Sequence, residues 1–289
     1  MNIVKKNGYY HLQFTFKKEG KTVSKEKYLG KSIPKNIEQI KEEFLRKVQG
    51  ETLFRKLDKI KENYQKEWKR YPESIKKKIK EELTISFTYN TNAIEGSTIT
   101  LEETRELIER KISPNKPIGD VQETVNHAKI FSGIMEDKYK ELSLNLIKQW
   151  HKDIFKASKS DIAGKIRDYL VKVGGHIFPD WQDLPKLLKD LFNWYENEKD
   201  KLHPIELAAK AHYRFVTIHP FGDGNGRISR LIMDYILIKN KFPILIIEYK
   251  KRASYYKALK KAQKNKSEWE FLKYFYRRYL SYHKGYLNK

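Results

Sequence analysis

The run from His219 to Arg230 brings together residue types that act on phosphate groups. His219 can accept a proton near neutral pH, and Asp223 supplies the hard carboxylate oxygen that Mg²⁺ prefers when it also binds phosphates. Arg227 and Arg230 are three residues apart, so both can face one side of the helix that the pattern predicts next. Small residues in the run let backbone amides turn inward, beside the positive end of that helix's dipole. The run therefore predicts a site for phosphoryl or nucleotidyl transfer.

Every fixed position of this run matches the Fic signature, which reads His-x-Phe-x-acid-Gly-Asn-Gly-Arg-x-x-Arg. The resemblance implies that His219 deprotonates the hydroxyl of a target protein and that Asp223 holds Mg²⁺ between the phosphates of ATP. It also implies that Arg227 steadies the phosphates and that Arg230 clamps the terminal one. Three consecutive residues are implied to line the phosphate nest: Gly224, Asn225 and Gly226. In this family the attack falls on the α-phosphorus, and pyrophosphate leaves.

A second segment, Thr91 to Gly96, resembles the inhibitory motif of the same family. In that motif a serine or threonine stands four residues before a glutamate, which glycine or asparagine follows; here the three are Thr91, Glu95 and Gly96. The resemblance implies that Glu95 pairs with Arg230 and blocks the reactive pose of ATP. Because the segment precedes the signature, the chain resembles the class II members, inhibited by an amino-terminal helix, here about residues 83–95.

Two further segments resemble parts of the family that surround the nucleotide. Residues 169–178 look like a short hairpin with a glycine pair at its turn, similar to the flap that holds the target segment by strand addition. The flap residues are Val173, Gly174, Gly175 and His176. Tyr255 and Tyr256 resemble a tyrosine pair that helps to enclose the nucleotide base, although aromatic residues of this kind also pack protein cores.

The resemblance implies Mg²⁺-dependent transfer of AMP from ATP to a Ser, Thr or Tyr hydroxyl of a protein, with self-modification expected. Gly226 favours this reaction over phosphate transfer, because related kinase-type members usually carry a lysine at that position. The inhibitory glutamate aligns a water in some relatives, so removal of AMP from a modified protein by the same site is the enzymatic alternative. A module that binds nucleic acid or a protein partner is the alternative from another class.

The 289-residue chain has a formal net charge of +23, and this charge lies in its two flanks. Residues 1–80 hold 23 Lys+Arg against 10 Asp+Glu, residues 248–289 hold 13 against 3, and the middle holds 24 against 24. Basic flanks can follow nucleic acid, attract an acidic partner or remain solvated. Abundant Lys and Glu are also typical of proteins that work at high temperature. The oligomeric state stays open, a homodimer included.

Composition excludes several other classes of protein. The chain has no cysteine, which rules out disulfides, thiolate metal sites and a cysteine nucleophile. Its apolar runs, such as Leu231 to Ile238, are far shorter than a bilayer span, and its first residues lack the apolar stretch of a signal peptide. We therefore expect a soluble cytoplasmic protein that does not bind membranes.

The hydrophobic pattern predicts a mainly helical protein with a multi-helix core and a short β-hairpin flap. Alternating apolar residues predict a small amino-terminal hairpin over residues 9–29. The expected divisions are a hairpin appendage at 1–35, a basic helical linker at 36–82, a Fic core at 83–275 and a basic helix end at 276–289. Core helices are predicted at 118–135, 143–156, 183–197, 205–218, 226–239, 252–263 and 267–283.

Overall fold

The computed structural model describes residues 1–18, 21–139, 141–173 and 175–288. Contacts between residues divide the chain into two compact units. The smaller unit comprises Met1–Asn63 and Lys284–Lys289, and the larger comprises Tyr64–His283. The domain limits expected from the sequence stay a prediction.

The smaller unit begins with a three-stranded antiparallel sheet, which is one strand more than the predicted hairpin. Its strands are β1 (Asn2–Lys6), β2 (Tyr9–Lys18) and β3 (Lys21–Gly30), paired in that order. Asn7 and Gly8 join the unpredicted strand to β2 with positive φ angles of 50° and 82°, as a two-residue hairpin turn requires. The predicted hairpin is present as β2 and β3, whereas β1 was not predicted, because Ile3 and Val4 are adjacent apolar residues and lack the alternation of a half-buried strand.

Helix α1 (Ile37–Arg70) follows the sheet, and its residues up to Asn63 belong to the smaller unit. The buried apolar residues of this unit are Leu12, Phe44, Leu45, Leu57 and Ile60. A terminal helical turn, Lys284–Leu287, is fixed by α1: the Nζ of Lys59 donates to the carbonyl of Leu287 (2.8 Å), and the Nδ2 of Asn63 donates to that of Tyr286 (2.7 Å).

Among the residues that the structure describes, the larger unit is helical apart from one short hairpin, as the sequence predicts. Its helices are α2 (Glu73–Ile94), α3 (Leu101–Arg105), α4 (Ile118–Met135), α5 (Leu144–Phe155), α6 (Leu184–Glu198), α7 (Pro204–Ile218), α8 (Asn225–Lys239), α9 (Arg252–Lys264) and α10 (Glu268–Tyr282). A π-helical turn (Glu106–Arg110) follows α3, and 3₁₀ turns occupy Trp181–Asp183 and Tyr249–Lys251. The hairpin consists of β4 (Lys172–Val173) and β5 (His176–Ile177).

Helix α8 lies at the centre of the larger unit, with nearly every residue from Asn225 to Leu237 buried. A helix that is buried all round belongs to a core rather than a surface, and α7 packs along it. The loop between α7 and α8 therefore starts and ends in the rigid core. This loop is the run that the sequence singles out for phosphate chemistry.

Candidate active site

The side chain of Asn225 holds the loop in shape. Its Oδ1 accepts from the backbone N–H of Phe221 (2.9 Å), and its Nδ2 donates to the carbonyl of the same residue (2.8 Å). Asn225 is buried, and both of these amide atoms are used in pairing with the loop's own backbone. Of the three residues predicted to line the nest, Asn225 thus contributes its backbone while its side chain acts as a clamp.

Arg167 holds the loop from the opposite side. Its backbone N–H donates to the carbonyl of Pro220 (2.9 Å), and its Nε donates to that of His219 (2.8 Å). Its other guanidinium nitrogens donate to the carbonyls of Tyr169 (2.6 Å) and Pro179 (2.7 Å). A buried arginine that makes four such bonds fixes the loop and both ends of the segment carrying the flap. No role was predicted for this residue from the sequence.

His219 ends α7 in a left-handed conformation, with φ of 53° and ψ of 57°. Its Nδ1 lies 3.2 Å from the carbonyl oxygen of Val216, and its ring stacks on Phe178 with centroids 3.8 Å apart. Since a carbonyl only accepts, Nδ1 carries the proton and Nε2 keeps its lone pair. Burial lowers the pKa of His219 to about 4, so the imidazole is neutral at pH 7. His219 is therefore a neutral base of fixed tautomer.

The first turn of α8 is an anion cradle that already contains a carboxylate. Gly224 is the N-cap residue of this helix and makes no side-chain hydrogen bond to the first amides. These amides are therefore unpaired donors at the positive end of the dipole. A Cβ added to Gly226 would collide with Oε1 of Glu95. The Glu95 carboxylate consequently lies where a helix amino terminus would bind an anion such as a phosphate.

Glu95 forms an ion pair with Arg230. The Nη2 of Arg230 lies 2.6 Å from Oε1 of Glu95, and its Nε donates to Oγ1 of Thr91 (2.6 Å). Burial by itself would lower the pKa of Arg230, but the charge and hydrogen bond of Glu95 together with the nearby tyrosine hydroxyls outweigh burial, so the pKa is raised. Thr91, Glu95 and Arg230 thus form one buried group at the end of α2.

The end of α2 sets the position of Glu95. Ser97 N–H donates to the carbonyl of Asn92 (3.0 Å), and Gly96 N–H donates to that of Ala93 (3.1 Å). These two bonds make the Schellman motif that ends many helices. Gly96, the last residue of the predicted inhibitory motif, therefore stops the helix directly after Glu95.

Asp223 offers a carboxylate at the entrance to the cradle. Its Oδ1 accepts from the backbone N–H of Gly224 (2.5 Å), and its Oδ2 lies 2.6 Å from the Nζ of Lys159. Burial acts to raise the pKa of Asp223, but the hydrogen bond from Lys159 and the charge of Arg227 outweigh it and lower the pKa. Asp223 is therefore ionised at neutral pH.

The residues around Asp223 fit a magnesium site to which the protein contributes a single carboxylate. Within the residues that the structure describes, no three His, Asp or Glu side chains cluster as metal ligands. Mg²⁺ is commonly held by one or two carboxylates, with waters and substrate phosphates completing its shell. A single ionised carboxylate next to an anion cradle matches that pattern. An ion here would depend on the nucleotide for further ligands.

The guanidinium of Arg227 lies between Glu123 and Asp223, and the contact with phosphate expected from the sequence stays a prediction. Its Nη1 lies 2.5 Å from Oε2 of the buried Glu123, and its guanidinium stacks over the ring of Phe155, 4.5 Å from the centroid. The other oxygen of Glu123 accepts from Ser158 (2.6 Å). Glu123, on α4, was missed in the sequence because nothing local distinguishes a glutamate on a helix that pairs 104 residues away.

His151 supports the loop beneath Asp223. The backbone N–H of Gly164 donates to its Nδ1 (2.9 Å), so Nε2 carries the proton and donates to the carbonyl of Asp223 (3.0 Å). Burial lowers the pKa of His151 to about 4. Its ring stacks on Phe221 with centroids 3.8 Å apart. This histidine is a neutral structural bridge that the sequence did not reveal.

The two tyrosines of α9 differ in their surroundings. Tyr255 is 1% exposed, and its hydroxyl lies 2.9 Å from Nε2 of His212 and 3.5 Å from Nη1 of Arg230. Tyr256 is 43% exposed, and its hydroxyl donates to the carbonyl of Ile94 (3.2 Å). Tyr255 is thus a core residue behind Arg230, whereas Tyr256 faces solvent next to the predicted inhibitory segment. Their contact with a nucleotide base stays a prediction.

The predicted flap is the β4–β5 hairpin. Val173 pairs with His176, and Lys172 pairs with Ile177. Gly175, in the turn between the two strands, has a positive φ. Gly174, also predicted to belong to the flap, lies outside the described residues. Val173 and Ile177 are 56% and 66% exposed, so two β-branched side chains stand in solvent on a two-stranded hairpin.

A glycine that packs against an aromatic ring gives a test of the loop's rigidity. A Cβ at Gly224 would overlap the ring of Phe155, and its φ of 77° disfavours other residues. We expect Gly224→Ala to lower the free energy of unfolding by about 2–4 kcal/mol, from overpacking and backbone strain together. Denaturant unfolding measures this change. Gly285→Ala, where nothing lies within 4 Å of the added Cβ, is the control, and equal stability of both variants would contradict the packing.

These residues together form a site for reactions at phosphorus. A neutral histidine with a free Nε2, an ionised carboxylate and an uncapped helix amino terminus surround one point, which a glutamate carboxylate now fills.

No helix in the described part of the chain combines the length and apolarity needed to span a membrane.

Known proteins are similar to this chain in sequence and fold. The helical core and glycine-rich loop define a Fic-type domain, and residues 141–237 match the Fic/DOC family model. These residues therefore belong to the Fic/DOC family. The matched range contains the signature loop, α5 and the flap, whereas Glu95 lies before it.

Two curated proteins that resemble this chain carry the same name. A protein adenylyltransferase Fic from Nematostella vectensis is 36% identical over 179 residues, which are 60% of this chain and 42% of that protein. A protein adenylyltransferase Fic from Drosophila grimshawi is 34% identical over 190 residues, 64% of this chain and 39% of that protein. The chain spans about two fifths of the length of these relatives.

Solved structures share the architecture. Fic-1 from C. elegans superposes with a TM-score of 0.70 at 26% identity, over 84% of this chain and 73% of that one. A Fic domain containing signaling protein from Bacteroides thetaiotaomicron gives a TM-score of 0.70 at 24% identity, over 80% and 95% of the two chains. The second likeness concerns the fold alone.

Proposed function

We propose that this protein transfers AMP from ATP to the hydroxyl of a Ser, Thr or Tyr side chain of a protein. The observation that carries the proposal is the neutral, tautomer-fixed His219 beside the uncapped amino terminus of α8. The name of its relatives, protein adenylyltransferase, supports the same reaction. It favours transfer of AMP over the alternative, removal of AMP from a modified protein.

In the proposed reaction Nε2 of His219 accepts the proton of the target hydroxyl. The hydroxyl oxygen forms a bond to the α-phosphorus, the bond from that phosphorus to the bridging oxygen breaks, and pyrophosphate leaves with the electron pair. The backbone amides of Gly226 and its neighbours hold phosphate oxygens at the positive end of the α8 dipole. Asp223 would hold Mg²⁺, which when bound offsets negative charge on the phosphates.

Arg230 has a role only after Glu95 moves. In the present arrangement its guanidinium is bound by Thr91 and Glu95, so it has no free edge for a terminal phosphate. We therefore propose that Glu95 inhibits the enzyme by occupying both the cradle and Arg230. Support comes from the collision between a Cβ on Gly226 and Oε1 of Glu95.

The flap offers a way to bind the target. A short hairpin with exposed Val173 and Ile177 can accept an extended segment as an added strand, which would present a hydroxyl to His219. Ring contact between His219 and Phe178 at the end of this hairpin keeps flap and base together. A second copy of the chain can supply such a segment, so self-modification is part of the proposal.

The position of the label in ATP tests the reaction. We expect purified Glu95→Gly protein with Mg²⁺ to become labelled by ATP carrying the label on the α-phosphate and not by ATP labelled on the γ-phosphate. Label only from the γ-phosphate would mean phosphate transfer and overturn the proposal. Release of AMP from a previously modified protein, without any transfer, would favour the alternative reaction.

The basic flanks keep a second prediction open, that of a nucleic-acid or partner-binding module. The described structure adds a small sheet and the long α1 to the amino-terminal flank. Retention of a labelled DNA or RNA duplex at low salt, and its loss as salt rises, would support that role.

A further inference from the structure

Lys159 lies between two carboxylates at the entrance to the candidate active site. Its Nζ is 2.6 Å from Oδ2 of Asp223 and 3.5 Å from Oε1 of Glu123. Its backbone N–H donates to the carbonyl of Phe155 (2.8 Å) at the end of α5, and its ammonium lies 5.3 Å from the centroid of that ring. The lysine is thus fixed at its backbone and directed at the carboxylate expected to bind metal.

Lys159 is one of two hydrogen-bond donors to the carboxylate of Asp223. Oδ1 accepts from Gly224 N–H, and Oδ2 accepts from Lys159. A divalent cation that binds Asp223 needs one of these oxygens, and two cations cannot share one oxygen without strong repulsion. The ammonium therefore occupies Oδ2, the carboxylate oxygen of Asp223 that no backbone amide holds and through which a metal ion would coordinate most readily.

The charges around Asp223 point the same way. Lys159 and Arg227 carry two positive charges, and Asp223 and Glu123 carry two negative ones, so the four groups are balanced without metal. Glu123 is a poorer ligand than Asp223, because it is buried and its two oxygens accept from Arg227 and Ser158. Lys159 can leave, because its side chain is 40% exposed and ends in a flexible stem.

We propose that Lys159 is an internal competitor of the divalent metal. In the metal-free protein its ammonium binds Oδ2 of Asp223, and a metal ion gains this ligand only when the lysine swings out. The phosphates of a nucleotide then compensate the added positive charge, so metal and nucleotide bind together. This inference rests on the proposed function through the role of Asp223 as metal ligand, and it makes metal affinity without nucleotide a property that Lys159 sets.

The test measures binding of Mn²⁺ alone to the full chain, by the loss of the free-ion signal in electron paramagnetic resonance. We expect Lys159→Met to bind Mn²⁺ about three- to tenfold more tightly than wild type, because an ion pair at a partly exposed site is removed from competition. Lys159→Arg retains the charge and is expected to bind as weakly as wild type. Unchanged melting temperatures establish that the variants are folded.

Two further variants separate the possible causes. Lys156→Met removes a lysine from the same stretch that pairs with Asp153 at 3.0 Å and is expected to leave the affinity unchanged. Asp223→Asn is expected to abolish binding. Loss of binding in Asp223→Asn with wild-type affinity in Lys159→Met would overturn the competition alone. Wild-type Mn²⁺ binding by Asp223→Asn would overturn the metal role of Asp223, and the competition with it.

Discussion

Replacing Glu95 with glycine is expected to raise AMP incorporation into protein about 5- to 150-fold over wild type, the range of typical coupling free energies between sites. The carboxylate occupies the amino terminus of α8 and binds Nη2 of Arg230 at 2.6 Å, so ATP competes with an anion tethered to the same chain. Without it, both the cradle and the guanidinium become available to phosphates. Incorporation from ATP labelled on the α-phosphate, followed over time, measures the change.

Two matched variants show whether the effect belongs to the carboxylate. Glu95→Gln keeps the size of the side chain but removes its charge, and we expect it to be activated less than Glu95→Gly because it still fills part of the cradle. Glu102, an exposed glutamate of α3, gives the control Glu102→Gly, which is expected to behave as wild type. Equal, low incorporation by wild type and Glu95→Gly would contradict autoinhibition.

Much of the fold is readable from the sequence because the signals are local. The 3.6-residue period predicts the helices of the larger unit. Thr100 and Glu103 add the sequence pattern of a capping box, which is present at the start of α3 with Glu103 N–H donating to Oγ1 of Thr100 (3.2 Å). The amino-terminal strand β1 was not predicted, because its apolar residues do not alternate. Its Asn7-Gly8 turn is the local signal that predicts it.

The candidate site, like the fold, has residues that the sequence predicts and residues that it does not. The signature loop and the inhibitory motif identify His219, Asp223, Glu95 and Arg230, and the structure brings these four together. Arg167 and His151 were not predicted, because their partners His219 and Asp223 lie 52 and 72 residues away. Such pairs follow from the packing of α5 and the flap segment against the loop, which no sequence window contains.

A motif predicts the position of a residue better than it predicts the contacts of its side chain. Asn225 belongs to the signature, yet its amide is used to close the loop on Phe221. Arg227 belongs to it as well, yet its guanidinium is bound by Glu123. Both residues shape the cradle from behind, which is a long-range property of the fold.

Removal of the histidine imidazole is expected to have the largest effect on the reaction itself. His219→Ala, placed in the Glu95→Gly background so that transfer is measurable, is expected to lower AMP incorporation by about 10²- to 10⁴-fold, the usual contribution of a general base. The reason is that Nε2 of His219 is the neutral acceptor at the cradle. ATP affinity, measured by equilibrium dialysis, is expected to stay nearly unchanged, because the cradle amides and Arg230 remain.

The backbone at this position requires a second variant. His219 has φ of 53°, a conformation that costs alanine about 1–2 kcal/mol but that asparagine adopts more readily. His219→Asn therefore keeps the loop and removes the base, so both variants are expected to lose transfer while only the alanine variant loses stability. If His219→Asn retained most of the transfer rate, proton abstraction by His219 would be ruled out. If both variants lost ATP binding as well, the histidine would be a support of the cradle rather than the base.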